Sequence, residues 1–377
     1  MSELKKLRKS LHIIAERSGQ EEKTSGLILE SLSEHCNPDK VVTNLGGYGI
    51  AALFDSREAG PCVLVRCELD ALPIPETIDI PYASNTTGVS HKCGHDGHMA
   101  ILVGLGRRLG DSRLKKGSAI LLFQPSEENG SGAGLVLDDP AFHQFKPDHA
   151  IALHNLPGYP LGSVVVGKGV FASASCGLII RMHGSTSHAA QPESGKSPAL
   201  AVASLINDLS SMPQFHTSLH EAAKVTVIHA RLGEVAFGTS PGEAEVMATL
   251  RAHKQETIDR LLKLASSMAV QVGDRYGLEI ETEITDPFPS TENDPAVVDV
   301  IGRSATELDL RIGQLETPFA WSEDFGHFTS RYGGALFGLG SGLDSPPLHH
   351  PEYDFPDDLI GIGVNLLHRI TERLVAE

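Results

Sequence analysis

The sequence predicts an α/β protein: a mostly parallel central sheet with helices on both faces, carrying a smaller inserted α+β module. Three observations predict it. Four apolar runs, at 62–70 (CVLVRCELD), 118–124 (SAILLFQ), 149–155 (HAIALHN) and 334–340 (GALFGLG), have the length of strands buried on both faces. Helical or glycine-rich sequence separates them, as parallel pairing requires. Each ends in polar, reactive residues: Asp70, then Gln124 with Glu127 and Glu128, then His154 and Asn155, and finally a glycine-rich loop leading to His349. Ligands of open α/β sheets bind at the carboxyl ends of strands.

The elements follow in chain order. Leu4, Leu7, Leu11 and Ile14 recur at helical spacing, so the N-terminus reads as an amphipathic helix without the apolar core of a signal peptide. The run MAILVGLGRRLG after His98 has helical length and Gly110 at its end, giving a helix that begins near Gly97. The middle third differs. Alternating patterns at 175–184, 222–233 and 242–253 read as strands, and 197–209 and 255–277 read as helices. Two helices on one face of about four strands form a ferredoxin-like α+β module. The expected division is a discontinuous domain of residues 1–172 and 285–377, with an inserted domain of residues 173–284.

Composition narrows the partners. The 377 residues carry 48 acidic and 31 basic side chains, a net charge of -17, which argues against nucleic acid or an anionic membrane as a main partner. No apolar run approaches membrane-spanning length. The five cysteines, Cys36, Cys62, Cys67, Cys93 and Cys176, are scattered and odd in number. They do not form a disulfide framework, so a reducing cytoplasm is expected.

The densest chemistry lies in HKCGHDGHMA, residues 91–100. His91, Cys93 and His95 fall at alternate positions, which on an extended segment point one way. A thiolate and an imidazole aimed at one point suit zinc and similar first-row ions. Asp96 reads as a helix cap and His98 as a residue on the helix flank. Ten residues cannot complete a metal site, so other ligands must come from elsewhere. Glu127 and Glu128 are adjacent just past a buried strand; one can bind a metal while the other serves as a general base. His154 ends a strand, and His349 and His350 sit in a proline-bounded loop. Cys93, His95, Glu128, His154 and His349 thus form five candidate ligands, enough for a two-metal site with one bridging group. Other signatures fail: there is no HExxH, no G-x-S-x-G elbow, no deaminase pattern and no complete nucleotide-binding loop.

RCELDALPI, HKCGHDGHMA, QPSEENGSGA, HNLPG, GSTSHAAQPESG, SEDF and LHHPEYDF occur in that order along nearly the whole chain. Together they resemble the motifs of the metal-dependent aminoacylase and carboxypeptidase superfamily. The branch most resembled is the N-acyl-amino-acid amidohydrolases, which includes hippurate hydrolases, indole-acetyl-amino-acid hydrolases and N-acetyl-diaminopimelate deacetylases. The resemblance implies a metallopeptidase-type catalytic domain with an inserted lid and dimerisation domain. It implies that Cys93 bridges two divalent ions, manganese or zinc with cobalt or nickel as alternatives. His95, Glu128, His154 and His349 would complete the ligand set. Glu127 would be the general base, and Asp70 would orient a ligand imidazole. His188 would polarise the scissile carbonyl, often from the partner subunit of a homodimer, and Arg251 would pair with a substrate carboxylate.

The implied reaction is hydrolysis of N-acyl amino acids or short peptides. A dipeptidase or carboxypeptidase, and a non-catalytic metal- or ligand-binding relative, are the alternatives. The chain departs from the pattern in three places. GTSP, Gly238 to Pro241, replaces the NVIP of relatives and removes an asparagine side chain. Glu68 stands where aspartate is usual. Trp321 precedes SEDF where small residues are common, and it would shape the acyl pocket or pack.

Overall fold

The protein is described by a computed structural model covering residues 1–376. Among these residues the strands are β1 (Lys40–Leu45), β2 (Gly49–Asp55), β3 (Cys62–Glu68), β4 (Ser118–Gln124), β5 (His149–Pro157), β6 (Val164–Val166), β7 (Gly169–Ala172), β8 (Ala174–His183), β9 (Ser187–His188), β10 (Ala223–Leu232), β11 (Thr239–Ser240), β12 (Glu243–Ala252), β13 (Glu279–Phe288), β14 (Thr291–Asn293), β15 (Ile312–Gln314) and β16 (Gly333–Gly342). The helices are α1 (Ser2–Ile13), α2 (Glu22–His35), α3 (His95–Asp111), α4 (Gly132–Asp138), α5 (Ala199–His216), α6 (Gln255–Tyr276), α7 (Pro295–Glu307), α8 (Gly326–Thr329) and α9 (Leu359–Ala376).

The chain divides into two compact units. The first holds Met1–Phe171, Thr291–Pro318 and the chain from Asp324 onward; the second holds Ala172–Ser290 and Phe319–Glu323. β13 therefore continues past the expected boundary at 284, and five residues far along the chain return to the second unit. Periodicity cannot show such a return, because those five residues form no regular element.

The first unit is built on an eight-stranded sheet in the order β1-β2-β4-β3-β5-β16-β6-β15. The central strands β4, β3, β5 and β16 are parallel, and the antiparallel pairs β1–β2 and β2–β4 extend one side. All four expected apolar runs are among its strands. Val63 and Val65 point into the core that α3 covers, and α1, α2 and α9 pack around α3. Every residue of α3 from His95 to Gly106 is buried, which explains its unbroken apolar run. Leu4, Leu7 and Leu11 are buried on α1, as the spacing predicts.

The second unit is a four-stranded antiparallel sheet in the order β10-β12-β8-β13, with α5 and α6 packed against it. Buried residues alternate along β8 (Cys176, Leu178, Ile180, Met182) and β12 (Val246, Ala248, Leu250). They meet Leu205 and Leu209 of α5 and Ile258, Leu261 and Ala265 of α6 in one cluster. Truncating a fully buried leucine such as Leu261 to alanine costs about 2–5 kcal/mol in cores of this kind.

Candidate metal centre

The carboxyl ends of β3, β4, β5 and β16 carry the candidate site, all within the first unit. Gly94 separates Cys93 from His95. Its φ is +91°, and a Cβ there would lie 2.6 Å from the Asn155 side chain, so only glycine fits. The kink places Cys93 Sγ 3.4 Å from His154 Nε2. His154 Nδ1 donates to the Asn155 carbonyl at 2.9 Å, which leaves the Nε2 lone pair facing Cys93. Glu127 and Glu128 follow Ser126, whose φ of +55° turns the chain sharply past β4. His349 also has a positive φ, +66°, and its N–H donates to the Lys92 carbonyl. Non-glycine residues in this region store strain that surrounding contacts must hold.

The side chains converge in three overlapping groups whose ligand atoms lie within 4.8 Å of one another: Cys93, His95 and His154; His95, Glu127 and Glu128; and Cys93, Glu128 and His349. His95 Nε2 is 3.8 Å from Glu128 Oε1 and 4.0 Å from Glu127 Oε2, and His349 Nε2 is 3.8 Å from Glu128 Oε2. These contacts are too long for hydrogen bonds. Two nitrogen or oxygen ligands each about 2.0–2.2 Å from a tetrahedral ion lie roughly 3.3–3.6 Å apart, so a shift of a few tenths of an ångström would bring these side chains onto a shared ion. His95 Nε2 is buried without a hydrogen-bond partner. Such an orphan is costly unless a cation takes its lone pair. The donor set of sulfur, imidazole nitrogen and carboxylate fits first-row divalent ions.

Asp70 stands behind His95. The ring donates from Nδ1 to the Asp70 carbonyl at 2.9 Å and lies 3.5 Å from Asp70 Oδ1. Asp70 Oδ2 accepts from Ser18 Oγ at 2.7 Å and from the Glu128 N–H at 2.9 Å. One carboxylate thus orients an imidazole and positions the backbone of a second ligand. Burial would raise the Asp70 carboxyl, but the bond to His95 holds it below its usual value. Burial would lower His95, but Glu68, Asp70 and Glu128 together push it up to about 10. His154 is pushed down to about 3 by burial, with His98 and His95 adding to the effect, so it stays neutral and ready to coordinate.

Parts of the surrounding shell were not legible in the sequence. His98, expected on a helix flank, is buried, with Nδ1 2.7 Å from Glu68 Oε2 and Nε2 against Asn155 Oδ1; Asn155 Nδ2 donates to the Tyr353 hydroxyl. Asp96 is not a helix cap: its carboxylate meets Arg8 Nη1 at 3.2 Å and His12 Nδ1 at 2.8 Å, fixing α1 to the start of α3. The helix begins at His95, two residues before the expected start, so the extended reading of His91, Cys93 and His95 fails. His91 is buried near the His12 ring and joins none of the three groups. Arg66 binds Glu68, Gln124 and Asp324. Asp324 accepts from Gln124 and from the Ala133 N–H, and its own N–H lies 3.5 Å from Glu127 Oε1. Such pairings join residues up to 258 positions apart, beyond any local pattern.

His188 and Arg251 belong to the second unit and are exposed there. His188 Nδ1 accepts from the Ala190 N–H, so the neutral ring carries its proton on Nε2. The GTSP segment lies beside it: Thr239 pairs with His188 and Ser240 with Ser187, and a Cβ on Gly238 would meet nothing within 4 Å. Arg251 Nη1 donates to the Ala320 carbonyl and the Ser322 hydroxyl.

A mostly parallel sheet with cysteine, histidine and paired carboxylates at its carboxyl edge fits a metal-dependent hydrolase. The chain belongs to peptidase family M20/M25/M40, whose pattern matches residues 64–373. Among its relatives is the N-acetyldiaminopimelate deacetylase of Streptococcus pneumoniae (strain Hungary19A-6), 29% identical over 385 residues that cover 100% of both chains. Two solved structures share the fold. One is from methicillin resistant Staphylococcus aureus, with a TM-score of 0.90 and 24% identity over 99% of this chain and 96% of the other. The second is the YXEP protein of Bacillus subtilis, a dinuclear metal binding peptidase, with a TM-score of 0.83 and 24% identity over 100% and 98%. Among the described residues no helix is long and apolar enough to cross a membrane.

Proposed function

We propose that this protein hydrolyses the amide bond of N-acyl amino acids, releasing the acyl acid and a free amino acid, with two divalent ions held by Cys93, His95, Glu128, His154 and His349. One observation carries the proposal: six metal- or proton-handling side chains from four separate segments converge where the only unpaired imidazole nitrogen of His95 points. The deacetylase relative in Streptococcus pneumoniae supports the substrate class. Ions held there would supply Lewis acidity, activating water and polarising the scissile carbonyl.

The chain's own residues do the rest. Glu127, buried and 4.0 Å from His95 Nε2, takes a proton from the attacking water and returns it to the leaving amine. Asp70 holds His95 and Glu128 in place. His188 offers an Nε2–H to the developing oxyanion, and Arg251 binds the substrate carboxylate. Manganese or zinc is the expected metal, with cobalt or nickel able to substitute. The protein works as a homodimer in the cytoplasm, its inserted unit serving as lid and dimerisation surface. Sedimentation at micromolar concentration tests the dimer.

Glu127→Gln tests the reaction. The variant keeps its fold and metal content and loses about 10²–10⁴-fold in kcat, the usual contribution of a general acid–base group. Turnover close to that of the unmodified protein would exclude Glu127 as the base.

A further inference from the structure

The second unit contains a groove of about 500 Å³, lined by Ala222, Lys224, Arg251, His253, Ala320 and Trp321 among others. It lies where β10 begins and β12 ends. Two features set it apart from the rest of this acidic chain. Lys224 and Arg251 are directly opposite each other in the β10–β12 register. Like charges placed opposite on neighbouring strands destabilise a sheet. Among the described residues neither makes an ion pair, and the groove's lining includes no carboxylate. The second feature is the wall. Phe319 and Trp321 stack with ring centroids 4.8 Å apart and planes 20° from parallel. Ser173 pins this segment: its N–H reaches the carbonyls of Phe319 and Trp321, and its hydroxyl donates to Phe319 while meeting His253 Nδ1 at 3.0 Å.

A cation pair without counter-charge, beside a fixed aromatic wall and several alanines, complements an anion with a flat apolar body. We propose that this groove binds aromatic carboxylates, with Lys224 selecting for the charge and Trp321 for the ring. Lys224 is the specificity residue that the sequence did not reveal. Arg251 shares the anion, and its two hydrogen bonds to the 320–322 segment fix the wall against the charge. The unfavourable Lys224–Arg251 opposition is relieved when a carboxylate enters between them. The identity of the ligand rests on the amidohydrolase reading; the binding itself does not need metal or turnover.

Trp321 is the sole tryptophan of the chain, so its fluorescence reports on the groove directly. The experiment titrates metal-stripped full-length protein with hippurate, with N-acetylglycine (carboxylate without ring) and with hippuramide (ring without charge). Hippurate should give a saturable change, and both comparators should bind at least about fivefold more weakly, the scale of one exposed ion pair or more. Lys224→Ala should weaken hippurate by a similar factor and leave hippuramide unchanged. Lys224→Glu should abolish hippurate binding and raise the thermal midpoint, because it turns a cross-strand repulsion into an ion pair; a residue of merely structural value would not move the two in opposite directions. Equal binding of hippurate and hippuramide, no response of Trp321 to hippurate, or unchanged hippurate binding in Lys224→Ala would each overturn the proposal. Metal-restored hydrolysis is assayed separately. Hippurate binding without hydrolysis of any N-acyl amino acid sinks the amidohydrolase reading and leaves the groove assignment standing. Hydrolysis with a KM for hippurate unaltered by Lys224→Ala does the reverse.

Discussion

Asp70→Asn changes one oxygen to an amide nitrogen in a fully buried position and leaves every other atom in place. The carboxylate now accepts Ser18 Oγ–H at 2.7 Å and the Glu128 N–H at 2.9 Å through Oδ2, with Oδ1 3.5 Å from His95 Nδ1. If the asparagine oxygen replaces Oδ2, both hydrogen bonds survive as neutral ones, and an NH₂ group faces the N–H of His95. If the amide turns over, it sets NH₂ against the Glu128 N–H instead. Losing the charge from two bonds costs about 1 kcal/mol each, since charge-assisted bonds are roughly twice as strong as neutral ones. The total of about 2 kcal/mol corresponds to roughly 30-fold in metal affinity, inside the 10–100-fold range typical of groups that support metal ligands. His95 keeps its bond to the Asp70 backbone carbonyl, so the ring stays in place and the fold persists. The assay is chelator competition against the metal-loaded variant, with circular dichroism as the fold control. Metal affinity within threefold of the unmodified protein, in a folded variant, would refute the role given to Asp70.

Other perturbations test neighbouring parts of the account. Burial would lower His12, but Asp96 and Glu76 override it and push it up to about 9, against 6.5 when unfolded. Its stabilisation is fully present below pH 6.5 and lost as pH rises through about 9; the difference of 2.5 corresponds to on the order of 3 kcal/mol. Urea titrations across that window should show the fall, and His12→Gln should flatten it; equal slopes would refute the coupling. Gly97→Ala puts a Cβ 2.4 Å from the buried Phe355 ring, so overpacking of about 1–3 kcal/mol should outweigh the helix gain of about 1 kcal/mol and lower the melting temperature. A melting temperature equal to or above that of the unmodified protein would contradict this. His349 has a side chain 53% exposed, so His349→Ala should move stability by less than about 0.5 kcal/mol while lowering the metal retained after dialysis. Full metal retention would remove His349 from the ligand set.

The sequence revealed most where chemistry is local. The four central strands show as unbroken apolar runs because both their faces are covered, and Cys93, His95, Glu127 and Glu128 stand in compact motifs. His154 and His349 become legible only as further ends of the same sheet. What stayed hidden depends on chain segments that meet only in the fold. Asp96 looks like a cap until α1 delivers Arg8 and His12 to it. His98 reads as a residue on the helix flank until Glu68 and Asn155 enclose it. The opposition of Lys224 and Arg251 depends on strand register, which shifts at a bulge between Val227 and His229, so counting residues from the turn misplaces the pair. Phe319–Glu323 joins the second unit through contacts that no periodicity announces.

The measurement that tests the central claim most directly is amine release from N-acetyl, N-benzoyl and indole-acetyl amino acids and from dipeptides. Metal-stripped protein is compared with protein given manganese, zinc, cobalt or nickel singly. The expected result is no release without metal and restored hydrolysis of at least one N-acyl amino acid with metal. Folded, metal-loaded protein that cleaves dipeptides alone, or cleaves nothing in the panel, would contradict it.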